Sequence, residues 1–275
     1  DFSAEVDHMD LRALGFVDAV GYNSLKLHVA ASGRLSPDSL LGILALRDIS
    51  YCVGSKDHEL GDVLLRSGRE NGTNILELDA DFANARVEGT FLPTRLVALA
   101  ANTVYSVFPA LQNDVVYKHA DQQFSFNVVT GDSKAILDLV APGLEIAPGS
   151  TARGSLDSRS FDIDLTANLP YVRYGTSRFD SVAVIMDKTL DVLVFSARSE
   201  RQTFKDSTWF AGTSARGIAY QDEVELALGW NDSNGGTNGH VDLLGQVRGL
   251  RSIDLQLQPS KLFFGRGNWE NRTVS

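Results

Sequence analysis

The sequence predicts a mainly β protein built on a large antiparallel sheet, and two observations carry that reading. The first is a repeated alternation of apolar and polar residues with a period of two. Leu76, Leu78, Ala80 and Phe82 alternate with Glu77, Asp79 and Asp81. Phe161, Ile163, Leu165, Ala167 and Leu169 alternate in the same way with Asp162, Asp164, Thr166 and Asn168. Val224, Leu226, Leu228 and Trp230 do so with Glu223, Glu225, Ala227 and Gly229. Successive side chains of a strand point to opposite faces, so each run is a strand with one dry and one wet face. The second observation is spacing: such runs recur at the roughly 8–12 residues of all-β folds, with turn-forming residues between them. Many short-connected strands of this kind make an antiparallel sheet. Its dry face must be covered, by another protein layer or by something that is not protein.

Taken in order, residues 1–53 read as strands, with Phe2, Ala4 and Val6 in the first and Leu25, Leu27 and Val29 in the next. Ser36-Pro37 predicts a short helix near 37–41, because Ser caps a helix and Pro suits its first position. That helix ends near Gly42, and Ile43 to Tyr51 is extended again. Polar patches at Gly54–His58 and Ser67–Asn74 flank Val63–Leu65, which is hairpin chemistry. Residues 93–108 predict an amphipathic helix. Leu96, Leu99, Ala100, Thr103, Val104 and Val107 recur at three- and four-residue spacing, and Pro109 stops it. A strand is expected at Phe124, Phe126 and Val128, and a second helix at 133–140, stopped by Pro142. From Leu144 onward strands are expected near 162, 172, 184, 193, 210, 218, 226, 242, 254 and 263, with a hairpin turn at Asn231–Gly239.

Composition bounds the function. The 275 residues are 43% hydrophobic and 22% charged, the balance of a folded domain able to bury a large apolar surface. We read residues 1–275 as one elongated β unit, since no composition shift marks a boundary. The net charge of −10 disfavours nucleic acid, whose binding needs Lys and Arg, and an anionic membrane surface. Cys52 is the only cysteine, so neither an intrachain disulfide nor a cysteine-rich zinc cluster can form. Beside Tyr51 at the end of an apolar strand, it reads as a small buried hydrophobe. No apolar run reaches the ~18 residues of a membrane span. The chain is expected to be a piece of a longer protein, with any anchor outside it.

The usual signatures of chemistry are missing. None of the five histidines (8, 28, 58, 119 and 240) stands at helical ligand spacing from another. His28 falls on the polar phase of a strand and His58 in a turn. Carboxylates two apart on a strand lie ~6.5 Å apart, which would suit a glycosidase pair such as Asp162 and Asp164. Yet the same pattern recurs at Glu77, Asp79 and Asp81 and at Glu223 and Glu225, as any solvated strand face requires. Asp232, Asn234 and Gly236 lack the closing Glu of a calcium loop, and Gly265-Arg266-Gly267 precedes no helix. The expectation is a non-enzymatic protein without metal or cofactor.

Several segments, in order, resemble the C-terminal region of the AsmA-like envelope family, in particular the TamB (translocation and assembly module) type of Bacteroidetes-like bacteria. They are Leu40-Leu-Gly-Ile-Leu-Ala-Leu-Arg-Asp-Ile-Ser-Tyr51, Leu76 to Phe91, and Val107-Phe-Pro-Ala-Leu111. Ile136 to Ile146, Pro148 to Gly154 and Val224 to Asn231 follow. The resemblance implies a long, curved antiparallel sheet forming an open apolar trough. It further implies transport of phospholipid acyl chains through the periplasm toward the outer membrane. An inner-membrane anchor outside this chain and an outer-membrane barrel partner of the BamA type belong to the same implication.

The expected groove lining is Leu76, Leu78, Phe82, Phe161, Ile163, Leu165, Val182, Val184, Val192, Val194, Val224, Leu226 and Leu228. Ordinary core packing is the competing reading for each, because alternation says nothing about a ligand. The alternative function is a closed structural or adhesive β-domain of a cell-surface protein with a protein partner. A carbohydrate-active sandwich using Asp162 and Asp164 is a third. The helix at 93–108 is expected either to plug or cover the trough or to complete a core.

Overall fold

The computed structural model describes residues 2–10, 23–36, 39–53, 55–112, 121–205, 207–232, 238–249, 252–264 and 267–271. Among them nineteen strands form one sheet. The first six are β1 (Phe2–Asp10), β2 (Asn23–Ser36), β3 (Ser39–Val53), β4 (Lys56–Glu70), β5 (Thr73–Ala80) and β6 (Ala83–Thr90). A 3-10 turn at Pro93–Arg95 then leads into α1 (Leu96–Val107), and another at Pro109–Leu111 follows it. Next come β7 (Gln123–Thr130), α2 (Lys134–Val140), β8 (Leu144–Ile146) and β9 (Thr151–Asp157). The long strands β10 (Asp162–Tyr174) and β11 (Ser177–Thr189) precede β12 (Val192–Ser199), β13 (Arg201–Phe204), β14 (Ser207–Tyr220) and β15 (Glu223–Asp232). The last four are β16 (Asn238–Gly249), β17 (Ser252–Leu257), β18 (Ser260–Phe264) and β19 (Gly267–Asn271).

The pairing is antiparallel and runs up and down in sequence order from β1 to β7, then through β9, β10, β11, β12, β14, β15, β16 and β17. β8 extends the line of β9 against β10, and β13 extends that of β12 between β11 and β14. Where one strand was expected near 162 and another near 172, β10 covers both, and β14 likewise covers 210 and 218.

The helices at 93–108 and 133–140 are found as α1 and α2. The helix expected at 37–41 is not: β3 begins at Ser39, and Leu40 and Leu41 pair with Leu35 and Arg34 of β2. Pro37 and Asp38 lie outside the described residues. Antiparallel pairing of β2 with β3, from Ser36 opposite Ser39 onward, holds Leu40 and Leu41 extended. His58 likewise sits in β4, stacked on Tyr51 with ring centroids 4.6 Å apart.

Strand pairing places side chains on shared faces, and one cross-strand row is apolar throughout. It runs Phe2, Ala31, Leu44, Leu65, Leu78, Ala85, Val128, then Ala152, Ala167, Val184, Ala197, Ala215, Leu228 and Val241. With one residue from each strand and strands ~4.8 Å apart, the row extends for roughly 60 Å. The parallel row beside it is large except at two glycines: Leu76, Val87, Phe126, Gly154, Leu165, Met186, Phe195, Gly217, Leu226 and Leu243. The small members make room for rings: a β-carbon on Gly154 would lie 2.9 Å from Phe126 Cζ.

This apolar face closes on little protein. Among the described residues, Tyr51 and Leu139 form the one cluster of buried hydrophobic side chains, with Leu25, Val53, Leu60 and Ala135 packed against it. There α2 meets the ends of β3 and β4, and Tyr51 donates a hydrogen bond to the Ala135 carbonyl at 2.5 Å. The accessible surface is 17099 Å². A compact monomer of 29.9 kDa would expose about 11,700 Å². An open, curved sheet contributes to that excess by leaving its apolar face only partly covered.

Candidate functional site: an apolar channel

The concave face is the candidate site. Ile163 and Leu165 on β10, Val182 and Val184 on β11, and Val224, Leu226 and Leu228 on β15 all fall on it, as do Leu76 and Leu78 on β5. All nine are half-buried, the state of side chains that line a surface without being sealed inside it.

Four expected lining residues stand elsewhere. Val192 and Val194 point to the opposite, convex face and are 39% and 48% exposed. The run Val192 to Phe195 is apolar at both phases, so alternation alone cannot orient it. The hairpin decides: Thr189 pairs with Val192, which sets Lys188 opposite Leu193 and Met186 opposite Phe195. Leu193 and Phe195 therefore take the channel face, since a one-residue slip would invert every side chain. Phe82 lies in the turn between β5 and β6, where its carbonyl accepts a hydrogen bond from the Gly131 amide at 2.9 Å. Phe161 lies in the turn before β10, with a left-handed φ of 53°.

A cavity of about 440 Å³ deepens the channel, within the roughly 300–1,000 Å³ of small-molecule sites. Val172, Phe179, Val182, Phe210, Leu228 and Trp230 line it. Phe179 and Val172, paired with each other, would face outward by simple alternation from Val182 and Leu169. They face the cavity because the strands are kinked between these positions. Ser181 has φ 51°, the β12–β13 line breaks at Glu200, and the β14–β15 register shifts between Phe210 and Gly212. Irregularities on adjacent strands re-aim side chains. Periodicity could not reveal these residues, because the phase changes within each strand.

Along one edge, α1 covers the strand ends. Leu99 and Val107 of this helix are buried, and so are Ala219 at the end of β14 and Leu156 at the end of β9. The Val107 carbonyl accepts a hydrogen bond from the Asp222 amide at 3.0 Å, and Asp222 Oδ1 accepts one from the Ala110 amide at 2.9 Å. The segment leaving β6 thus reaches the β14–β15 turn far along the sheet, so the sheet curls around it. At this edge Lys188 also points inward and is buried; its Nζ donates to the Leu190 carbonyl and, at 3.5 Å, to that of Ser160. Desolvation holds its pKa below the usual lysine value.

One carboxylate, Asp180 on β11, is buried and paired with Arg178 and Arg201, each at 2.7 Å; those singled out by the sequence stand on the wet face or in turns. Glu77 pairs with Arg86 across β5 and β6. Asp162 accepts hydrogen bonds from the Leu190 amide at 2.8 Å and Ser160 Oγ at 2.7 Å, a turn-fixing role. Cys52 is half-buried rather than buried, and desolvation raises its thiol pKa. Among the described residues, no three His, Cys, Asp or Glu side chains gather to hold a metal, and no helix is long and apolar enough to cross a membrane. Comparison with family models, with curated proteins and with solved structures finds no match.

Proposed function

We propose that this chain is a non-enzymatic segment of a periplasmic, AsmA-like, TamB-type envelope protein, and that its channel carries phospholipid acyl chains toward the outer membrane. The observation that supports this reading is the unbroken apolar row from Ala31 to Val241, half-buried along the concave side of an open sheet. Acyl chains are the ligand class that such a surface suits. Each methylene removed from water contributes ~0.8 kcal/mol, so ten carbons contribute of order 8 kcal/mol before ordering costs, without any specific polar contact. Head groups would remain in water above the rims. The outer-membrane barrel partner and the inner-membrane anchor belong to the same proposal through the family resemblance.

The experiment is native and denaturing lipid mass spectrometry on the purified chain and two variants. Stoichiometric phospholipid is expected in the parent and should be lost in Leu165→Asp and Leu226→Asp proteins whose circular dichroism remains that of the parent. A lipid-free parent that is fully folded, with delipidated protein taking up no added phospholipid, would sink the proposal.

A further inference from the structure

The convex face carries an exposed apolar block that the channel does not use. Val192, Val194, Ile218 and Tyr220 stand outward on the neighbouring strands β12 and β14, where Val194 pairs with Ile218. Each is between 39% and 48% exposed. Single exposed apolar residues are ordinary on a monomer, but four together form a patch of the kind that marks an interaction surface. Beside them a depression of about 610 Å³ opens among Val194, Ile218 and Leu244, over the small side chains of Ser196 and Ala227.

Carboxylates frame this block on both sides. On β11, Asp187 pairs with Val194, and on β10 Asp164 pairs with Asp187. On β15, Glu225 pairs with Ile218 and Glu223 with Tyr220. Arg216 and Asp242 stand at the lower rim of the depression. The two acidic flanks, β11 and β15, are three strand spacings apart, or about 14 Å. An α-helix with its side chains measures roughly 10–12 Å across, so one fits between them.

We infer that the convex face of β11–β16 docks an amphipathic helix of a partner protein, with an apolar ridge flanked by Lys and Arg. The ridge covers Val192, Val194, Ile218 and Tyr220, and the basic flanks meet Asp164 and Asp187 on one side and Glu223 and Glu225 on the other. Charge complementarity selects this occupant. A second copy of the chain, related by a two-fold axis, would set the same carboxylates against one another, and an anionic bilayer would be repelled. The inference stands independently of what fills the channel.

The test uses a fluorescein-labelled 18-residue helix of Leu and Lys as probe, its Leu and Glu counterpart, and vesicles containing phosphatidylglycerol. Binding of the Leu/Lys helix is expected to weaken with salt. It should fall at least tenfold in Ile218→Asp and in the double variant Glu223→Lys, Glu225→Lys, and persist in Leu226→Asp. Because both glutamates are exposed, the double variant decides the matter even if Ile218→Asp folds poorly. Any of four results would overturn the inference. These are equal binding of the Leu/Glu helix, a loss confined to the channel variant, vesicle binding that requires Ile218, or a dimer of the parent that Ile218→Asp dissolves.

Discussion

Gly217 and Phe195 illustrate how single residues set the channel floor. They pair across β12 and β14, and a β-carbon on Gly217 would run into the Phe195 ring and lie 2.8 Å from the Glu225 carbonyl. Gly217→Val should therefore cost about 1–3 kcal/mol, as overpacking does, and lower the urea midpoint of unfolding. Tyr51 offers a pH-dependent counterpart. Burial, reinforced by the Asp138 charge, pushes its pKa up from 10.0 to about 12. The folded state thus keeps a proton that the unfolded state releases. Stability from this group is present in full below pH 10 and is lost as pH rises from 10 toward 12. Tyr51→Phe should flatten that alkaline loss and, by removing the bond to Ala135, cost about 1 kcal/mol at neutral pH. Unfolding measured across the alkaline range checks both effects.

Among the elements, β12 separates channel from surface most sharply. Leu193 and Val194 are neighbours of similar size, yet one faces the channel and the other the convex side. Leu193→Asp should reduce bound lipid in mass spectra, whereas Val194→Asp should leave it at the parent level. Equal losses would mean that strand phase does not govern occupancy. α1 behaves as an element with two loyalties: its buried stripe of Leu99, Asn102, Thr103 and Val107 faces inward, while Val104 is 47% exposed. Its sequence spacing is legible as amphipathic, but its address is not. Hydrogen bonds to Asp222 tie α1 and the 3-10 turn after it to the β14–β15 turn.

For the whole molecule, openness is the property that distinguishes a channel from a closed sandwich. The accessible surface of 17099 Å² exceeds the about 11,700 Å² of a compact monomer of this mass. Less surface is then newly exposed on unfolding, so the urea slope should fall below that of compact domains of equal length, and an ordinary slope would mean that the sheet folds back on itself. Apolar surface left half-covered favours anything that covers it, so a bound ligand should also raise the unfolding temperature by mass action.

The sequence by itself determined the β class, the two helices and most of the channel-facing positions. Period-two alternation is a local consequence of strand geometry and needs no partner to be read. It determined Leu78 and Leu165 because polar neighbours on both sides leave one possible phase. The tertiary structure decided the rest. Val192 and Val194 belong to a run that is apolar at both phases, and only pairing with β11 orients it. Phe82 and Phe161 are the end members of their alternations, and the turns take them out of the strands. Phe179 and Phe210 enter the cavity through kinks aligned over several strands, a pattern that no single strand contains. Whether the dry face would be sealed or left open was likewise undecided by alternation, because both outcomes put one apolar face on each strand. Curvature and the scarcity of covering layers settled it, and those are properties of the assembled sheet.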